Sequence, residues 1–207
     1  MNSIKSISLV GLAMLVAMAC VGVSSASAEE STALCRAPEN PCNASPVEVV
    51  HFVNEGVIIL LTNIVNILCL QASITLKVLG LNAPQQIHTE AMSYSACGTS
   101  ASHNNCIVTV IEGPLFELLR TGSNEGVLEV LSGEVRKKCT IFGFIKLDCT
   151  YQLKGSLTLK GADFGTRGHL TADKLTLTLL EGEGGLCPTE VVADELLEAL
   201  QAVYVRS

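Results

Sequence analysis

The chain reads as an all-β protein, an antiparallel β-sandwich or barrel-like domain stapled by disulfides, with one short C-terminal helix. Three observations predict this. Eight cysteines follow residue 28, an even count that in an exported chain reads as a disulfide framework. Short runs of alternating apolar and polar residues recur from about residue 56 to 180, separated by turn residues every 8–15 positions. No strand–helix–strand rhythm interrupts them, which argues against a parallel sheet.

Residues 1–28 read as a secretory leader. Lys5 is the only charge before Glu29, Ile7 to Val23 is apolar or small, and Ala26-Ser27-Ala28 supplies the small residues a signal peptidase accepts. Cleavage is expected between Ala28 and Glu29, leaving a secreted or cell-envelope chain. Ala17-Met18-Ala19-Cys20 offers a rival, a lipoprotein anchored at Cys20. No later segment has the length of a membrane helix, because Thr62, Asn63 and Asn66 interrupt the apolar run from Val57 to Leu70.

The remaining 179 residues suit one domain with a sizeable core. Residues 29–46 are expected to be a lead-in loop pinned by its own disulfide, and 47–207 a single β domain. The chain after Ala28 has 12 basic and 20 acidic side chains, a net charge of −8. Such a balance gives no overall attraction to nucleic acid or to anionic lipid, and no nucleic-acid partner is expected. Arg136-Lys137-Lys138 is the one basic cluster and reads as a solvated strand edge or loop. The absence of Trp weakens any sugar-stacking role and leaves Leu, Ile and Val to fill the core.

Spacing suggests a disulfide pairing. Cys35 and Cys42 bracket a Pro-bearing loop, Cys97 and Cys106 a polar tip, and Cys139 and Cys149 a hairpin around Gly143. Cys69 and Cys187 would then form a long clamp. Sequence alone leaves 105 connectivities open.

Individual elements follow in order. Asn43-Ala44-Ser45 fits the N-glycosylation pattern. Leu68, Leu70, Ala72, Ile74, Leu76 and Val78 share one parity and predict the apolar face of a strand or bent hairpin. His88 to Ser95 is a more polar strand. Ile107–Ile111 and Leu115–Leu119 flank Gly113-Pro114, read as a turn, as is Ser132-Gly133 between 126–131 and 133–142. Leu147, Cys149, Tyr151, Leu153, Leu157 and Leu159 all fall on odd positions, and Gly155 marks a bulge or turn among them. Leu170 and Ala172 are even while Leu175, Leu177 and Leu179 are odd, so the register shifts near Asp173-Lys174. Thr189 to Leu200 carries a Val192/Leu196/Leu200 stripe after Pro188 and reads as the short helix. Val203-Tyr204-Val205 returns to β character.

Three segments resemble a known group: Glu30-Ser31-Thr32-Ala33-Leu34-Cys35, Leu147-Asp148-Cys149-Thr150-Tyr151, and Cys187-Pro188 with the closing Val203-Tyr204-Val205. They are similar to small exported proteins of soil actinobacteria that have no assigned activity. The resemblance implies an all-β domain at or beyond the bacterial cell envelope and transfers no functional residue. The chain departs from that group in its acidic, helix-like segment after Cys187.

The chemistry-bearing residues form no familiar constellation. No catalytic, cofactor or metal site is expected. There is no C-x-x-C pair, and His51, His88, His103 and His169 are scattered. Glu181 and Glu183 read as a solvated loop, and Asp163, Asp173 and Glu181 would bind calcium only if their loops converged. The expected role is structural or surface-interacting, with a cell-surface or protein partner. The alternative is a binding module in which the apolar residues from Val57 to Leu79 line a lipid pocket. A hydrolase stands third, without a motif.

Overall fold

The computed structural model describes residues 33–38, 46–54, 56–61, 66–80, 84–99, 102–163, 166–172, 175–183 and 186–206. The leader with Cys20, the Ala28–Glu29 junction, Cys42, Asn43, Asp173 and Lys174 lie outside them. The described residues fold as fourteen strands without a helix. The strands are β1 (Ala33–Cys35), β2 (Val49–Asn54), β3 (Ile58–Leu61), β4 (Ile67–Val78), β5 (Gln85–Thr99), β6 (Ser102–Arg120) and β7 (Glu125–Ile141). They continue as β8 (Ile145–Lys154), β9 (Ser156–Lys160), β10 (His169–Thr171), β11 (Thr176–Glu183), β12 (Glu190–Asp194), β13 (Leu196–Ala199) and β14 (Tyr204–Arg206).

All pairing is antiparallel. β4, β5, β6 and β7 are long and lie side by side. The other four members of the sheet are each broken in the middle. β2 and β3 both pair with β4, while β8 and β9 both pair with β7. β10 and β11 join β9 and β8 to β13 and β12. Finally β12 pairs with β3 and β13 with β2. The pairings therefore run in a closed circuit of eight members, which removes the free lateral edges that a β protein otherwise has to protect.

A belt of irregularities crosses this circuit and divides it into two halves. Gly113-Pro114 is a bulge within β6, not a turn, and the pairing slips between Glu112 and Leu115. Proline lacks an N–H for the ladder, so a bulge is where a strand can hold it. The Thr89 hydroxyl donates to the Pro114 carbonyl at 2.7 Å. Gly133 lies within β7 with φ of 150°, and a Cβ there would sit 3.0 Å from the Pro114 Cα. Gly155, with φ of 98°, separates β8 from β9, in keeping with the bulge or turn expected there. The expected short strands around 107–119 and 126–142 are thus two long ones.

The same belt corrects the face of β4. Ala72, Ile74 and Leu76 point inward as expected, but Ile67 and Cys69 are the buried residues beyond the belt, and Leu70 is half exposed. The inner face changes parity there because Cys69 must meet Cys97 inside the sheet.

The C-terminal helix is also corrected. Residues 190–194 and 196–199 are β12 and β13, with Val191, Ala193, Leu197 and Ala199 buried. Val192, Leu196 and Leu200, the stripe that suggested a helix, are the exposed residues. Periods of 2 and of about 4 coexist in this segment, and the unpaired backbones of β2, β3, β10 and β11 decide in favour of the strand. Val203-Tyr204-Val205 does return to strand, with β14 covering Tyr204–Arg206. β14 pairs with β1 to form a small clasp, so a strand occupies part of the expected lead-in loop. Asn124 ties the clasp to the sheet. Its side chain donates to the Ala162 carbonyl at 2.9 Å and accepts from the Val205 N–H at 3.0 Å.

Residues 69, 97, 106 and 139 occupy one row across β4–β7, each directly opposite the next. Cys69–Cys97 and Cys106–Cys139 are disulfides with Cα separations of 4.0 and 4.1 Å, close to the spacing of non-hydrogen-bonded antiparallel pairs. The pairing expected from the polar tip, Cys97 with Cys106, joins neighbours in the same row. It would strand Cys69 and Cys139 three strands apart, about 14 Å, beyond disulfide reach. Cys139 faces Leu147, two residues short of Cys149, so the expected hairpin bridge does not form. Cys149 instead bonds to Cys187, with a Cα separation of 5.8 Å. The expected Cys69–Cys187 clamp is accordingly absent. Cys35 is disulfide-bonded as well, and its expected partner, Cys42, lies outside the described residues.

Candidate functional site

Among the described residues the two buried charged side chains, Lys137 and Glu195, lie in the disulfide-bearing half, and an ion cluster lies on its outer face. Alternation puts Val135, Lys137 and Cys139 inside β7 and Arg136 and Lys138 outside it. The basic cluster is therefore neither an edge nor a loop. It lies in a strand paired on both sides, and its middle residue is turned inward. The Lys137 ammonium sits 5.3 Å from the centroid of the Tyr151 ring, the geometry of a cation–π contact. Burial lowers the Lys137 pKa to about 8. The Tyr151 hydroxyl has no hydrogen-bond partner among the described residues, and burial raises its pKa to about 12.

A second inward pair comes from β5 and the joint between β12 and β13. The Tyr94 hydroxyl donates to Glu195 Oε1 at 2.8 Å. Leu60, Val108, Val135, Leu153 and Leu177 surround the pair and leave a cavity of about 10 Å³. This is room for one water-sized sphere and not for an acyl chain. Burial raises the Glu195 pKa to about 7, with the Tyr94 hydrogen bond opposing the shift. Burial and the neighbouring carboxylate hold the Tyr94 hydroxyl well above the usual phenol range. The buried pair therefore favours a protonated carboxyl over a carboxylate.

Outside, Asp148 on β8 collects the cations of β7. Arg136 Nε and Nη2 donate to Oδ1 and Oδ2 at 2.6 and 2.7 Å, and Lys138 Nζ lies 3.1 Å from Oδ2. The Arg136 hydrogen bonds lead in holding Asp148 at about 2, despite its desolvation. Beside this cluster runs an open groove of about 330 Å³, lined by Glu134, Arg136, Asp148, Thr150 and Glu181 together with Ile111 and Leu180. Its guanidinium is already held by Asp148, so the groove presents carboxylates and the flanks of apolar side chains.

The other sequence candidates do not converge. Asp163 lies in the β9–β10 connection of the clasp half and Glu181 in β11 of the disulfide half, so the calcium arrangement is not assembled from them. No group of three or more His, Cys, Asp or Glu among the described residues could hold a metal. His51 hydrogen-bonds Thr75 at 2.9 Å on the exterior, and His169 is in β10. The Val57–Leu79 region expected to line a lipid pocket packs into the core through Ile58, Leu60, Ile67, Ile74 and Leu76. No helix among the described residues is long and apolar enough to cross a membrane.

The inward polar pairs were missed at sequence level. Tyr94 and Glu195 are 101 residues apart, and only sheet closure joins them. A signal did exist, since Glu195 shares the parity of Val191, Ala193, Leu197 and Ala199, which marks an inward carboxyl once the segment is read as strand. No protein-family description, curated protein or solved structure matches the chain.

Proposed function

We propose that this chain is an exported, disulfide-stapled β-barrel domain that acts through its outer surface, as a structural or surface-interaction module of the cell envelope. The observation that carries this reading is the contrast between inside and outside. The interior space beside Glu195 holds about 10 Å³, while Leu70, Leu79, Ile107, Phe142 and Phe144 are each more than half exposed. Cavities that carry small molecules are commonly 300 Å³ or more, roughly thirty times this space. The three described disulfides suit an oxidising compartment, in keeping with export and removal of residues 1–28.

The test has two arms. The host's culture medium and envelope fractions are probed for the chain, and the recovered protein is titrated with a polarity-sensitive fluorescent fatty acid. Recovery on the envelope with no saturable probe binding supports the reading. Saturable one-to-one binding would replace it with the small-ligand carrier.

A further inference from the structure

The β7–β8 hairpin ends in Phe142-Gly143-Phe144. The two phenylalanines are 72% and 77% exposed, the highest values among the exposed large apolar residues that are described. The chain contains five Phe and no Trp, so two of its few large aromatic rings are spent on one turn in water. Phe142 also has φ of 52°, a conformation that bulky residues rarely adopt and that Asn or Gly takes more easily. An exposed ring in a left-handed conformation gains little inside the molecule. Its return has to come from something outside.

Charge around the tip points to the partner. From Arg136 to Asp148 there are three outward cations, Arg136, Lys138 and Lys146, and one carboxylate, with Lys137 turned inward, in a chain whose net charge after residue 28 is −8. The single carboxylate, Asp148, is held by Arg136 and Lys138. Lys146 is exposed and faces Thr140, between the tip and that cluster. On the β6 side the chain is uncharged from Ala91 to Ile111, and it carries Ile107 at 66% exposure opposite Lys138. On the other flank the register sets Glu181 and Glu183 of β11 opposite Thr150 and Asp148, both farther from the tip than Lys146. An approach with the tip foremost is therefore favourable toward a negative surface, even though the chain as a whole is acidic.

We propose that the β7–β8 tip anchors the protein to an anionic lipid surface, with Phe142 and Phe144 entering the boundary between headgroups and acyl chains and Lys146 and Lys138 over the headgroups. Two phenyl groups offer about 300 Å². That is far below the roughly 800 Å² a side of a standard protein interface. A bilayer accepts such a small wedge, because an apolar tip ringed by cations gains from partition and from the negative surface potential together. The assignment rests on the surface-interaction reading and names its partner.

Flotation of the oxidised, host-produced protein with vesicles tests it. Vesicles of phosphatidylcholine with phosphatidylglycerol are compared with phosphatidylcholine alone, at low and high salt. The anionic vesicles are expected to carry the protein, and salt to weaken the association. F142S/F144S should lower partition at least about a hundredfold, since each of the two buried phenyl groups contributes roughly tenfold or more. K146E should lower it on the order of tenfold, because it reverses one charge near the surface. L200S, just after β13 in the other half, should leave it unchanged. Intact disulfides by mass and an unchanged circular-dichroism spectrum establish that each variant is folded. Equal partition of wild type and F142S/F144S overturns the assignment, as does binding without preference for the anionic lipid or to a host surface protein in lipid-free solution. Those results leave the surface-interaction reading standing, whereas saturable fatty-acid binding removes that reading first.

Discussion

The two halves of the closed sheet are held by different means. In the clasp half, large apolar side chains do the work. Nine of the twelve largest fully buried side chains lie there, among them Phe52, Phe116, Leu118, Leu128, Leu159 and Leu170. The disulfide half has only Ile58, Ile67 and Tyr151 of that set. It also buries Lys137 and Glu195, both 4% exposed, and it carries all three disulfides whose two partners are described. Polar groups inside a sheet cost stability unless their partners are excellent. Cross-links offset that cost by restricting the unfolded chain. The difference teaches that three cross-links stand in the half with fewer of the largest fully buried side chains, and that this interior holds ionisable groups.

The comparison can be broken most severely from the clasp half. Phe116→Ala should lower unfolding free energy by about 3–5 kcal/mol, measured by denaturant titration of the oxidised protein. A loss below about 1 kcal/mol would mean that this half does not rest on its core. Next comes C106A/C139A. Opening a 33-residue link should cost about 2–4 kcal/mol. Amide exchange should show the loss in β6, β7 and β8 near the cysteine row, with the clasp half still protected. Uniform loss through both halves would show that they unfold as one unit.

Glu195 sharpens the contrast through pH. Its folded pKa is raised to about 7 while its unfolded value stays near 4.5, so between those limits the folded state binds more protons. Stability should therefore fall as pH rises from about 4.5 to 7, stay at the lower level above, and return on acidification. The span is up to about 3 kcal/mol. E195Q should flatten this contribution while keeping a partner for Tyr94, and an unchanged pH slope would mean that the carboxyl is not buried in solution. The smallest effect belongs to the exterior. Lys77 and Glu90 lie 3.3 Å apart with both side chains well exposed, and K77A should change stability by no more than about 0.5 kcal/mol.

Much of the inner face was legible locally. The odd-numbered series from Leu147 to Leu159 is buried throughout, as alternation predicts. Gly143 turns the hairpin it was expected to turn, and the even-to-odd change between Ala172 and Leu175 is present in the burial. The errors share one origin. Gly113-Pro114 and Ser132-Gly133 have turn chemistry, yet each sits in a strand with neighbours on both sides, and the ladder carries the chain straight through a bulge. Residues 189–200 have a helical stripe, yet their backbone closes the circuit. Of the candidate site, Arg136, Lys137 and Lys138 were visible as a cluster, but their separation into one inward and two outward cations depends on the register of β7.

By itself the sequence determined the all-β character, the inward residues of most strands and the need for cross-links in a chain without tryptophan, because alternation and cysteine content are local properties. Tertiary structure decided which cysteines bond, which turn signals become bulges, that the last segment is strand, and that Glu195 meets Tyr94. Each of these depends on which strand lies beside which, and that is set only when the first and last strands pair and every backbone group finds its partner.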